Sequence, residues 1–336
     1  MHDVGALAGV SLKTVSRVIN GDPTVSADIV VRVGRAVELL GYRPNRAASS
    51  LRRADRKTAT IGLLLEDVAN PFSSALHRAI ENAAREREML VFAGSSDEDP
   101  EREREVIAAF VSHQVDGLIV VPADQSHSDL LLERRRTGLP MVFLDRPGPV
   151  AEVDSVTADN QVGARTAVLH LVAHGHQRIG FMGDLGSIWT AAERERGYQD
   201  GMAAAGLTVD QALVRRNLRS SDEAMRATLE VLALAEPPTA LFTAQNLITT
   251  GALRALRQVG LHHRIAVVGF DDIQLADLLD PPVSVVAQDP SALGRTAARL
   301  LLSRLDGDEG PFQHVVLPTR LVARGSGEIR GPLGDP

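Results

Sequence analysis

From Thr58 onward, short apolar runs alternate with amphipathic stretches of helical length, and this alternation leaves little choice of fold. The runs are Ile61–Leu65, Met89–Ala93, Gly117–Val121, Met141–Leu144, Ile179–Met182, Ala240–Thr243, Ile265–Phe270 and Val283–Ala287. Helix-length segments separate most of them, among them Phe72–Arg87, Pro100–Ser112, Ala164–His174, Ala191–Ala205, Ile248–Val259 and Ala292–Leu305. Continuously apolar strands are buried on both faces, and strands bridged by helices run parallel. In 336 residues the series is long enough for two doubly wound α/β lobes. No short internal repeat stands out, although the two lobes repeat one architecture.

The first 57 residues break this pattern. Met1 to Ala8 reads as a short helix stopped at Gly9-Val10. Ser11 then caps a second helix to about Ile19, its hydroxyl taking an unpaired amide of the first turn. Asn20-Gly21-Asp22-Pro23 is turn chemistry. A third helix from about Ser26 to Leu40 carries Val30, Val33, Val37 and Leu40 as its apolar stripe and ends at Gly41. Residues 45–57, NRAASSLRRADRK, read alone as a linker, yet their composition permits a short helix that orders on a partner surface. Residues 1–57 hold ten Lys/Arg against five Asp/Glu, hence +5; the remaining 26 against 38 give −12, in keeping with the overall −7. A basic arm on an acidic body is the asymmetry of a nucleic-acid-binding head.

Two short helices joined by a tight turn form a helix-turn-helix, whose second helix fits the major groove. Its expected buried face is Val4, Leu7, Ala8, Val10, Val15 and Val18. The opposite face offers Leu12, Lys13, Ser16 and Arg17. Lys13 and Arg17 are the types that bond guanine O6 and N7, and Leu12 can meet a thymine methyl. Thr14, Ser16 and Asn20 are the short polar types that hold phosphates and fix register.

The string D-V-x-x-x-A-G-V-S-x-x-T-V-S-R-V-x-N over residues 3–20, then Val25-Ser26, then L-G-Y-x-P-N-R-x-A over 40–48, resembles the lactose/purine repressor family of transcription regulators, and the likeness continues through the whole chain. The resemblance implies an α/β protein with an N-terminal three-helix head and a two-lobed core like that of periplasmic binding proteins. The head would span 1–44, a hinge helix 45–57 and the core 58–330, with one lobe at about 58–158 and 288–316 and the other at about 159–287 and 317–330. It adds Asn45, Ala48 and Leu51 to the DNA contacts, Leu51 as a minor-groove wedge that kinks the operator; the alternative for Leu51 is ordinary packing. Two departures accompany the match. Met1 already lies inside the first helix, so either the chain starts upstream or its first turn frays, and His2 stands where the family often has a tyrosine.

Ligands of open α/β sheets sit at the carboxyl ends of the strands. Polar residues leave nearly every strand here: Asn70-Pro71-Phe72, Asp145-Arg146, Asn246, Asp271-Asp272 and Gln288-Asp289. With Arg194, Trp189 and Phe72 they would suit a small polyhydroxylated ligand, donors and acceptors taking its hydroxyls and an aromatic face its C–H side. Asp272 and Asp289 serve equally well as turn or cap residues. The family resemblance implies ligand contacts for Asp145, Asp271, Thr190 and Arg194, and a place at the lobe crossover for Gln288. At 245–246 the chain has Gln-Asn where the family usually has Asn-Asp.

Zero cysteines exclude disulfides and thiolate chemistry. His170, His174 and His176 lack the companions of a zinc site, and Glu101–Glu105 is most simply a solvated helix start. No H-E-x-x-H, G-x-S-x-G, Walker A or G-x-G-x-x-G string occurs, so no enzyme, metal or cofactor is expected. The expected protein is a cytoplasmic, nucleoid-associated homodimer that reads a palindromic operator in double-stranded DNA under control of a small-molecule effector, with no membrane partner. The alternatives are a regulator with a purine or phosphoprotein corepressor and, from another class, a sugar receptor without DNA function.

Overall fold

The computed structural model describes residues 1–19, 21–42, 58–123, 137–148 and 152–332. Two compact units divide the chain between Thr58 and Ala59.

Among the described residues the head holds three helices, α1 (His2–Ala8), α2 (Leu12–Ile19) and α3 (Ala27–Leu39). Gly9 ends α1 in the left-handed conformation (φ 64°), its N–H on the Ala6 and Gly5 carbonyls, a geometry that glycine adopts without a steric penalty. Ser11 caps α2 as expected, its Oγ accepting the Thr14 N–H at 3.2 Å. Val4, Ala8, Val15, Val33 and Ala36 form the core, with Val10, Val18, Ile29 and Val37 against it. Leu7 is not part of it: the side chain is 54% exposed. On α3 the inward stripe is Ile29–Val33–Ala36–Val37, so Val30 and Leu40 face outward instead. The i, i+4, i+7, i+8 spacing that closes the core starts one residue earlier than the expected stripe.

The described residues of the second unit form two six-stranded sheets. The first has strands β1 (Thr60–Leu65), β2 (Leu90–Ser95), β3 (Gly117–Val120), β4 (Met141–Leu144), β5 (Asp154–Ala158) and β11 (His314–Leu317), in the order β11-β5-β4-β3-β1-β2 and parallel throughout. The second has β6 (Ile179–Met182), β7 (Val214–Arg215), β8 (Ala240–Thr243), β9 (Ala266–Phe270), β10 (Ser284–Ala287) and β12 (Arg320–Val322), in the order β12-β10-β9-β8-β6-β7. Only the β10–β12 pair is antiparallel there.

Helices α4 (Pro71–Glu86) and α5 (Pro100–Ser112) belong to the first sheet, and α6 (Asn160–Ala173), α7 (Trp189–Ala204), α8 (Ser221–Leu232) and α9 (Asn246–Gln258) to the second. The last helix, α10 (Pro290–Leu305), follows a strand of the second sheet but packs on the first, where Leu293, Ala297, Leu300 and Leu301 meet Leu76 and Ile80 of α4 over Ile61, Leu63 and Leu65. The chain thus passes between lobes three times, after β5, after β10 and after β11. In the second lobe α6 and α7 cover one face through Val168, Leu171 and Tyr198 on Phe181, Phe242 and Val268; α8 and α9 cover the other. The α6–α7 contact is very close. A Cβ on Gly197 would lie 2.2 Å from the Gln161 carbonyl oxygen and 2.7 Å from Ala164 Cβ.

Strand β5 was not marked by an apolar run, because its first residue is Asp154. That carboxylate is wholly buried, meeting Arg304 Nε at 2.8 Å and Nη2 at 3.0 Å and accepting the Gln313 N–H at 2.7 Å. A buried charge is retained where a partner and further hydrogen bonds satisfy it.

Candidate functional site

On α2 of the head, Val15 is buried while Leu12 and Lys13 are exposed and Ser16 half-buried. Thr14 pairs its hydroxyl with Ser11 Oγ at 3.0 Å, which ties it to the cap. Arg17 lies across the following turn, its Nε 2.8 Å from Asp22 Oδ2 and its Nη2 on Thr24. The hydrogen bond from Arg17, with those from Thr24, holds the Asp22 carboxyl well below the usual carboxylate range. Arg17 is therefore held in one orientation beside the exposed edge of α2. Asn20, Asn45, Ala48, Leu51 and the expected hinge helix lie outside the described residues.

In the core, a polar cavity of about 270 Å³ lies between the carboxyl ends of the two sheets. The lobes reach it through matched devices. Asp145 leaves β4 and Asp271 leaves β9, both with φ 67°, and each donates its backbone N–H to the neighbouring strand, at Val156 O (2.8 Å) and Val286 O (2.9 Å). Aspartate is among the few non-glycine residues that visit this conformation readily. Each is held near an arginine: Arg146 Nε is 3.8 Å from Asp145 Oδ2, and Arg194 Nη1 is 3.4 Å from Asp271 Oδ2.

Arg194 is the organiser of the second lobe. It also donates to Asn160 Oδ1 (2.7 Å) and the Ala244 carbonyl (2.8 Å), and it stacks 4.0 Å over the Phe270 ring. Gln288 Nε2 bonds Asp271 Oδ1 at 2.6 Å. Arg146 organises the first lobe, donating to Glu98 Oε2 (2.7 Å), the Pro122 carbonyl (2.6 Å) and Glu66 Oε2 (3.5 Å). Burial pushes Glu66 up to about 8 and outweighs the opposing charge of Arg146; burial likewise raises Asp145 and Asp184. Burial by itself would lower Arg146, but its hydrogen bond and ion pair with Glu98 carry it above the ordinary arginine value. Two hydrogen bonds cross the cleft: Asn246 Nδ2 to Asn70 Oδ1 (2.8 Å) and Arg219 Nη2 to the Asp97 carbonyl (2.9 Å).

Of the residues named from sequence, Asn70, Phe72, Asp145, Thr190, Arg194, Asn246 and Asp271 line the cavity. Gln288 stands behind Asp271. Trp189, the first residue of α7, is half-buried and absent from the lining, so Phe72 is the aromatic side chain there. Asn70 and Asp289 also cap α4 and α10, and Asp272 pairs with Arg324 at 2.6 Å. Sequence reasoning passed over Glu66, Glu98, Asp184 and Arg219. The first three lie one, three and two residues beyond β1, β2 and β6, where polar strand exits mark them.

The histidines have structural partners: His170 Nε2 meets Glu328 Oε1 at 2.5 Å, His174 Nδ1 meets the His170 carbonyl oxygen at 2.8 Å, and His176 spans Thr239 and the Ile329 carbonyl. Among the described residues no group of three His, Asp or Glu is placed to hold a metal, and no helix is long and apolar enough to cross a membrane.

A helix-turn-helix head in one chain with a two-lobed α/β core and a polar inter-lobe cleft defines a DNA-binding transcription regulator. The comparisons agree with that class. Residues 1–45 match the model of bacterial regulatory proteins of the lacI family, and residues 168–327 match the periplasmic binding protein-like domain. The HTH-type transcriptional regulator PtxS of Pseudomonas aeruginosa is 34% identical over 98% of this chain and 96% of its own, and CelR of Thermobifida fusca is 35% identical over 96% and 97%. Among solved structures, the lac repressor dimer bound to operator and an anti-inducer superposes with a TM-score of 0.86 at 28% identity, over 97% of this chain and 98% of that one. The chain belongs to the lacI family of bacterial regulatory proteins, and it is a transcription regulator rather than an enzyme.

Proposed function

We propose that the protein is a homodimeric repressor of the cytoplasm and nucleoid that reads a palindromic operator and is controlled by a small polyhydroxylated metabolite in the inter-lobe cleft. The observation that carries this reading is the cleft itself, whose Asp145 and Asp271 arrive from the two lobes with the same backbone conformation, so that one small ligand touches both bodies. A ligand shifts a two-state protein only through its different affinity for the two states, and contacts to both lobes provide that difference. The solved CelR–cellobiose complex and a lacI-family regulator with bound ribose support a sugar or related polyol as the effector.

Leu12, Lys13, Ser16 and Arg17 are the proposed readers in the major groove, with Thr14 and Asn20 fixing register and Asn45, Ala48 and Leu51 acting at the hinge. One head covers one half-site, so two-fold symmetry of the protein matches that of the operator. The proposed divisions are 1–44 for the head, 45–57 for the hinge and 58–330 for the core. The test is fluorescence anisotropy of the full chain on the DNA upstream of its own gene, repeated with a panel of sugars, polyols and purines. Sequence-selective binding on the order of 10⁻⁸ M that one sugar or polyol shifts upholds the reading. Binding that only a purine shifts replaces the effector class, and sequence-indifferent binding refutes the operator assignment.

A further inference from the structure

Among the described residues, seven carboxyl groups and three guanidinium groups line the cleft. Arg146 is held by Glu98, Glu66 and the Pro122 carbonyl; Arg194 by Asn160, the Ala244 carbonyl and Asp271; Arg219 by the Asp97 carbonyl. Arg146 Nε, 3.8 Å from Asp145 Oδ2, makes no hydrogen bond among the described residues, and beside it an acceptor stands open. The Asp145 side chain is 5% exposed, lines the cavity, and its Oδ1 has no hydrogen-bond partner among the described residues. A hydroxyl or ammonium group finds a buried carboxylate oxygen that lacks a donor. A phosphate or carboxylate meets a surplus of like charge, six carboxyl groups besides Glu66 against three guanidinium groups.

We propose that the cleft selects its ligand by charge: it takes a small hydroxyl-rich molecule that is neutral or carries an ammonium group and rejects the phosphorylated or carboxylated form of the same molecule, with Asp145 as the discriminating carboxylate. The proposal rests on the polyol reading above. Burial, reinforced by the neighbouring charges of Glu98 and Asp145, already makes the Glu66 carboxyl retain its proton to about pH 8, so the site disfavours one further negative charge. Two like charges about 6 Å apart in an effective dielectric near 20 weaken binding roughly a hundredfold, and the fixed arginines return part of that, leaving an expected discrimination of about tenfold or more.

The experiment is isothermal titration of the full chain at pH 7 with matched sets: glucose, glucosamine, glucose 6-phosphate and glucuronate, and the corresponding galactose and mannose series, with ribose and ribose 5-phosphate. In the set that binds, the neutral or amino form is expected to bind at least about tenfold more tightly than either anion. Asp145→Asn, an isosteric change that also tolerates the left-handed backbone, is expected to bring the forms within about threefold of one another. An anionic form that binds as tightly as its parent, or a gap unchanged in D145N, overturns the proposal and leaves the polyol reading standing. Failure of every set to bind, while the chain still binds DNA, overturns the polyol reading and this proposal with it. If D145N does not fold, the wild-type sets decide alone.

Discussion

Replacing Gly197 with alanine should damage both the stability of the core and its response to ligand, for one geometric reason. The added methyl carbon would sit 2.2 Å from the Gln161 carbonyl oxygen and 2.7 Å from Ala164 Cβ. Non-bonded carbon contacts settle near 3.5 Å, so α7 must move off α6 by about 1 Å. The obstructing atom is backbone, which cannot rotate away. Overpacking of this kind costs typically 1–3 kcal/mol, and the backbone clash places this site near about 3 kcal/mol. For a unit of this size the melting temperature should fall by roughly 5–10 °C. The same displacement stretches the 2.7 Å bond between Arg194 Nε on α7 and Asn160 Oδ1 at the start of α6. An added ångström, to about 3.7 Å, takes that bond out of range and frees the guanidinium that steadies Asp271. The assay is thermal unfolding by circular dichroism, paired with effector titration of the operator complex. A melting temperature within 2 °C of wild type, with an unchanged effector midpoint, would refute the reasoning on both counts.

Other outcomes follow from the same structure. Arg17→Ala should weaken operator binding about tenfold to a hundredfold per head while the circular dichroism spectrum is kept; a footprint at wild-type affinity would remove Arg17 from the reading set. Arg304→Ala leaves Asp154 buried and unpaired and should lower stability by about 3–5 kcal/mol in urea titration, a loss under 1 kcal/mol being incompatible with the pairing described. Glu66 has its folded-state pKa raised from 4.5 to about 8, so between those values the folded chain holds a proton that the unfolded chain has lost. Stability should accordingly fall as pH rises from 5 to 8, and Glu66→Gln should flatten the decline in melting temperature; an equally steep decline in the variant would contradict the assignment. Arg194→Ala should abolish the effector response and leave effector-free operator binding intact, and an intact response would move the ligand site elsewhere.

What the sequence disclosed depended on whether the stabilising partner was local. Apolar runs such as Ile61–Leu65 announce a buried parallel strand by themselves, and all eight runs lie within a residue or two of the observed strands at both ends. Strand β5 depends on an arginine 150 residues away, so its polar opening concealed it. Strands β11 and β12 complete edges whose partners lie far earlier or in the other direction of the chain, and neither is uniformly buried. In the head, Leu7 has the composition of a core residue but the wrong angular position once Val4 and Ala8 face inward. The cleft was half visible: strand exits supplied the two aspartates, whereas the Arg146–Glu98–Glu66 cluster exists only because β4, β2 and β1 end on one edge of the same sheet. Trp189 illustrates the converse, a residue of suitable type that the helix start turns away from the cavity lining.

The three passages of the chain between lobes also set an order of events during synthesis. The head's apolar core is complete in sequence by residue 42, whereas β11 and β12 span residues 314–322 and supply an edge to each sheet. At roughly 5–20 residues per second, the ribosome takes roughly 15 to 55 seconds to cover the distance between those points. Small helical units close in microseconds to milliseconds. A head that closes as it emerges precedes the completed sensor by tens of seconds. In the proposed dimer a lone head covers only one half-site, so an operator that needs two heads is not occupied before the molecule is able to answer a ligand.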